Sequence, residues 1–163
     1  METTVSKEIF EVITPSELLH HFQGHRNLTR RVIETFPEDA LFNHRIGGMR
    51  TFAEMLMELL GIAAPGIKEI ATGKIEPLIE HVEHKNKKAN LLQLWDEATD
   101  SINHYWAQIK PEQFRKQIKI FGQYEGTVWS SIFYFIDNEI HHRGQGYVYL
   151  RSLGIEPPAF YER

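Results

Sequence analysis

The chain has 163 residues, no cysteine, 42% apolar residues and a formal net charge of −4 from 18 basic and 22 acidic side chains. Zero cysteine excludes disulfides, thiolate zinc sites, iron–sulfur clusters and a cysteine nucleophile. The acidic balance argues against a nucleic-acid-coating protein, which carries a basic excess, and the length suits one domain over residues 1–163 with a core of its own.

Met1-Glu2-Thr3-Thr4 has no basic flank leading into an apolar stretch, so no signal peptide is read there. The longest uncharged run, Gly126 to Ile136, is far short of the roughly 20 residues of a membrane span. A cytoplasmic protein with neither nucleic acid nor membrane as partner is the expectation. Thr14-Pro15-Ser16-Glu17 combines a capping threonine, a first-turn proline and a glutamate able to close a capping box. Behind it Leu18, Phe22, Val32, Ile33 and Phe36 recur at helical spacing, and Pro37 marks the stop. A second box, Thr51-Phe52-Ala53-Glu54, opens a helix with Met55, Leu56, Leu59, Ile62 and Ile67 on its apolar stripe and Gly73 at its end. Pro65-Gly66 inside it predicts a kink or break.

Lys74 to Lys88 carries no clear periodicity. From Ala89 a third helix runs through Leu91, Leu92, Trp95, Ala98, Ile102, Trp106 and Ile109, and Pro111 ends it. Gln117 to Gly126 alternates around Ile118 and Ile120 and reads as an extended connector with a β-like turn. Thr127 then caps a fourth helix from Val128 to Leu153, stopped by Gly154 with Pro157-Pro158 beyond. These elements predict an all-α fold, an up-down four-helix bundle with a short extended connector before the last helix.

The densest chemistry lies on the last helix, from Asp137 through Asn138, Glu139, His141, His142 and Arg143 to Gly144-Gln145-Gly146. Two glycines so close in a helix interior point to a close neighbour, and Asn138 and His142, four apart, share a face. The bland reading is a solvated face continued by Arg143. His21 and His25 are also four apart, but their polar surroundings, His20 and Arg26, favour solvent. His81 and His84 read as a solvated loop beside Glu80, His104 as a partly buried hydrogen-bonding residue, and His44 as able to reach over a bundle end. Glu58 sits between Met55-Leu56-Met57 and Leu59-Leu60. There it is either a surface glutamate or a carboxylate that must be paired, protonated or bound to a metal. No serine nucleophile elbow, P-loop, dinucleotide fingerprint or H-E-x-x-H motif is present.

His142-Arg143-Gly144-Gln145, with Tyr149-Leu150-Arg151-Ser152-Leu153-Gly154 and Pro157-Pro158, resembles the C-terminal signature of the DinB-like family. This family of four-helix bundles is unrelated to the DNA polymerase sharing its name. Met49-Arg50-Thr51 through Leu59 resembles the start of its second helix, and the matching stretches cover about a quarter of the chain. The resemblance implies a divalent metal held by three histidines, one on the second helix and an H-x-x-x-H pair before Arg-Gly-Gln. Those positions fall here on Glu58, Asn138 and His142, so one histidine of three is kept. Glutamate is a reasonable ligand for zinc, nickel or manganese, whereas asparagine offers only a neutral carbonyl oxygen. His141 is no substitute for Asn138, since it projects about 100° away from His142.

The resemblance therefore implies a weak or degenerate metal site, with thiol transfer or hydrolysis as the chemistry and a role in stress or damage response. The alternative is a non-catalytic bundle that has lost its metal and binds a small molecule or serves as a scaffold. A homodimer is expected, with Trp129 and Tyr147 as candidate interface aromatics.

Overall fold

Three threonines start three of the helices by the same device. The hydroxyl of Thr14 accepts from the backbone N–H of Glu17, that of Thr51 from Glu54, and that of Thr127 from Ser130. Glu17 and Glu54 reach back to complete capping boxes, as their spacing predicts. The computed structural model describes residues 12–79 and 81–163. Met1 to Thr4, on which the signal-peptide reading rests, and Glu80 lie outside the described residues.

The elements are α1 (Pro15–Thr35), α2 (Glu38–Asn43), α3 (Phe52–Thr72), α4 (Lys88–Trp106), β1 (Gln117–Ile120), β2 (Tyr124–Thr127) and α5 (Val128–Ser152). A single 3₁₀ turn, Pro111–Gln113, precedes β1. The expected extended connector is the antiparallel hairpin β1–β2, paired from Gln117↔Thr127 to Ile120↔Tyr124. The short α2 has no counterpart in the sequence expectation, and α3 does not break at Pro65-Gly66. It continues to Thr72, because Ile67 and Ile70 beyond the proline are buried and offset the lost backbone bond. No helix among the described residues is long and apolar enough to cross a membrane.

The four long helices form the expected bundle, and two apolar clusters give their directions. One joins Leu18 and Phe22 of α1, Ile67 and Ile70 of α3, Ile102 and Trp106 of α4, and Ile132 and Phe135 of α5. The other joins Ile33 and Phe36 of α1, Phe52 and Leu56 of α3, Leu91 and Trp95 of α4, and Tyr149 and Leu150 of α5. The helices therefore run up, down, down, up rather than in plain alternation. Parallel α3 and α4 need a connection returning the length of the bundle. The 21-residue α3 spans about 31 Å, which about ten extended residues retrace. The aperiodic connection does this with its residues 73–79 reaching back along α3, so that a Cβ on Gly61 would fall 1.9 Å from the Ile79 carbonyl oxygen.

Antiparallel α3 and α5 meet through two glycine–aromatic contacts. Phe135 of α5 lies over Gly66 of α3, where a Cβ would come within 2.4 Å of its ring, and Phe52 of α3 lies over Gly146 of α5, at 2.6 Å. The close approach expected of the glycine pair is thus real at Gly146, while Gly144 faces open space.

Helix α5 buries one continuous stripe: Val128, Ile132, Phe135, Ile136, Glu139, His142, Arg143, Gly146, Tyr149 and Leu150. Its middle is polar, which overturns the solvated-face reading for His142 and Arg143; His141 is the exposed member. Glu139 and Arg26 are each 1% exposed and pair at 3.3 Å, and Glu139 also accepts from Thr29 at 2.6 Å. Arg26 further donates to the Trp95 carbonyl at 3.1 Å and to Thr99 at 3.0 Å, with its guanidinium 3.5 Å above the Trp95 ring. Arg143 donates to the His25 carbonyl, the Thr29 hydroxyl and His25 Nδ1. Glu139→Gln removes the buried carboxylate that both guanidiniums share, and denaturant unfolding should show a loss of about 3–5 kcal/mol.

Candidate functional site at the interface of α3 and α5

Between the two glycine–aromatic contacts, the antiparallel register sets Glu58 of α3 opposite Asn138 and His142 of α5. The structure brings all three together. Glu58 Oε1 accepts from Asn138 Nδ2 at 3.1 Å and lies 3.2 Å from His142 Nε2. The other carboxylate oxygen, Oε2, accepts from Arg50 Nη2 at 2.8 Å. His142 Nδ1 lies 2.8 Å from Gln145 Oε1 one turn on. As placed, both ring nitrogens lie beside side-chain oxygens.

Glu58 is therefore neither a free surface glutamate nor an unpaired buried one. Partial burial pushes its carboxyl up, but the hydrogen bonds from Arg50, His142 and Asn138 outweigh that and hold it below the usual carboxylate range. His142 is buried, while the Glu58 side chain keeps 29% exposure, so solvent reaches the network from the carboxylate side.

These residues do not fit a tightly held transition metal. The 3.2 Å between Glu58 Oε1 and His142 Nε2 suits two ligands of one ion as well as it suits a hydrogen bond. Only these two are strong donors, however, and zinc sites use at least three protein ligands. Among the described residues no group of three or more His, Asp and Glu side chains gathers as a metal site. Arg50 also sets a fixed positive charge against the carboxylate a cation would need. Neither Arg50 nor Gln145 had been given a role by the sequence, although Arg50 lies in the second-helix match and Gln145 in the HRGQ run.

A cleft of about 360 Å³ lies between α3, α5 and the hairpin, one helical turn from this network. Ile62, one turn beyond Glu58, and Tyr134, one turn before Asn138, form its near wall; Phe121 and Tyr124 of the hairpin form its far side. Burial raises the Tyr134 hydroxyl above the ordinary phenol range, and the Glu58 charge adds to that. Nothing in the sequence marked this cleft, because its walls come from four separate segments.

The remaining histidines fall out differently. His25 is buried rather than solvent-facing, since Arg26 and Arg143 beside it are drawn inward by Glu139. Its Nδ1 accepts from Arg143, and its Nε2 lies 3.2 Å from both Nε2 of exposed His21 and Nη1 of Arg163. His104 is exposed and bonds Gln108 instead of being partly buried. His44 does reach the end of α5, 2.9 Å from Ser152 Oγ, and His81 and His84 lie in the connection before α4, with the His84 ring stacked on Phe42 of α2. Of the candidate interface aromatics, Trp129 packs on Phe114 and Phe133, and the Tyr147 hydroxyl is buried.

The DinB family model matches residues 1–163. The uncharacterized protein YjoA of Bacillus subtilis is 24% identical over 152 residues, covering 91% of this chain and 96% of its own. Its crystal structure, described as DinB-like, superposes with a TM-score of 0.71 at 23% identity, over 90% of this chain and 99% of that one. A DinB-like protein from Bacillus cereus gives a TM-score of 0.73 at 15% identity, over 90% and 97%. At these identities the structural likeness is one of fold.

The histidine between the arginines carries a pH consequence. Burial first, then the charges of Arg143 and Arg163 and the neighbouring His21, push His25 down to about 3. A ring depressed in the folded state contributes stability above the unfolded value of about 6.5 and loses it as pH falls toward 3. Between pH 7.5 and 5 this ring alone should cost on the order of 2 kcal/mol of unfolding free energy. Denaturant melts across that range should show the loss, and His25→Gln should flatten it.

Proposed function

The chain belongs to the DinB family, and on that premise we propose that it is a ligand-binding member whose polar centre between α3 and α5 is closed by arginine. The observation that carries this reading is the Glu58 carboxylate, engaged at once by Arg50, Asn138 and His142, with the cleft opening beside it. In this reading the network holds α3 and α5 in register one turn away from the residues that line the cleft, and no reaction is run there. The outer side of α5, where Ile140 and Val148 are exposed, is the face a second copy would cover in a homodimer.

The second reading keeps Glu58, Asn138 and His142 as ligands of a zinc, nickel or manganese ion serving thiol transfer or hydrolysis. Its support is the convergence of the three side chains; against it stands Arg50, which a cation must displace. The two differ in calorimetry and in thermal melts. On the first reading, chelation leaves the melting temperature unchanged, and Zn²⁺, Ni²⁺ and Mn²⁺ show no stoichiometric micromolar binding. Glu58→Gln then changes stability by no more than about 1 kcal/mol, as fits a part-exposed pair. Tight one-to-one metal binding abolished by His142→Ala establishes the second.

A further inference from the structure

The chemistry of the cleft wall is one-sided. Among the described residues no Lys, Arg or His lines it. Phe121, Tyr124, Tyr134 and Phe135 supply aromatic rings, and Glu125 stands at the rim. Tyr124 and Tyr134 are more than half exposed, so their rings are open to a molecule entering between them.

The N-terminus of α5 also borders the cleft, and an open helix N-terminus would favour an anion. Here its donors are already used. Val128 N–H bonds the Lys116 carbonyl, Trp129 N–H the Phe114 carbonyl, and Ser130 N–H the Thr127 hydroxyl. The two serine hydroxyls in the wall, Ser130 and Ser131, both donate to the Thr127 carbonyl. What they turn outward are lone pairs. The wall thus offers π faces and hydrogen-bond acceptors, with the phenol hydroxyls as the donors left. Lys119, across the hairpin from Glu125 and 3.9 Å from it, lies outside the wall.

We propose that the cleft between α3, α5 and the hairpin binds an organic ammonium ion with an apolar body. The cation sits against the faces of Tyr124 and Tyr134 near Glu125, and the apolar part lies on Ile62, Leu78 and Phe135. Ring faces attract a cation and do nothing comparable for a neutral or anionic group of the same shape. The inference rests on the reading of the chain as a ligand-binding protein, and it adds the sign of the ligand's charge.

Isothermal titration of the full chain with benzyltrimethylammonium, benzyl alcohol and phenylacetate tests it, since the three share a ring and differ in charge. The expected result is saturable one-to-one binding of the ammonium, at least tenfold tighter than either of the others. Tyr134→Leu should weaken it about fivefold and Tyr134→Phe should leave it unchanged, because the ring face and not the hydroxyl makes the contact. Both variants alter a half-exposed side chain, and circular dichroism checks that they fold. Equal affinity for all three probes, or preference for phenylacetate, overturns the ammonium assignment while leaving the cleft a ligand site. No saturable binding by any probe overturns both.

Discussion

The orientation of α5 is set by the burial of Glu139 and Arg143 against α1. A carboxylate and two guanidiniums removed from water cannot turn back toward it without giving up every partner they have, so the rotation of the helix about its axis has one solution. Asn138 and His142 each precede one of these residues, and a step of about 100° therefore carries them round to α3. The network at the candidate site is a geometric consequence of the ion cluster behind it. Arg143, in the run of residues that carries the family resemblance, acts here as a structural clamp on α1.

Two glutamates on facing helices show how environment divides one side-chain type into two roles. Glu139 is sealed from solvent and holds together α1 and α5, with α4 joined through Arg26. Glu58 is partly open and keeps a guanidinium and an imidazole on its two oxygens. The first is costly to disturb because its partners have no water to fall back on; the second is not. The contact between α3 and α5 that brings Glu58 to His142 is itself permitted by Gly66 and Gly146, where aromatic rings occupy the space of a side chain.

The segment from 73 to 87 links topology to the cleft. Because α3 and α4 are parallel, the chain must return along the bundle. It does so over Gly61, placing Leu78 as one wall of the cleft. The hairpin closes the other side and is itself anchored from α3, since buried Glu69 accepts from the backbone N–H of Phe121 at the hairpin turn, and the same carboxylate accepts from Glu76 of the returning segment. A bundle in plain alternation would have neither this strap nor the pocket beneath it.

Local signals were strong in this chain. Capping threonines, helical periodicity, terminal glycines and prolines determined where α1, α3 and α5 begin and end, because those signals act within a few residues of one another. Helix α4, by contrast, starts without a side-chain cap and ends at Trp106, before the Ile109 and Pro111 of the sequence reading. Register along a helix likewise determined that Asn138 and His142 share a face. What only the tertiary structure decided was which polar residues are inside. Arg26, His25 and Arg143 read as solvent-facing in sequence, since a charged side chain reveals nothing of a partner more than a hundred residues away. Arg50 closing Glu58, the run of α3 through Pro65, the direction of α4 and the cleft itself are of the same kind. Each depends on groups brought together by packing, where burial makes a partner obligatory and excludes every arrangement that lacks one.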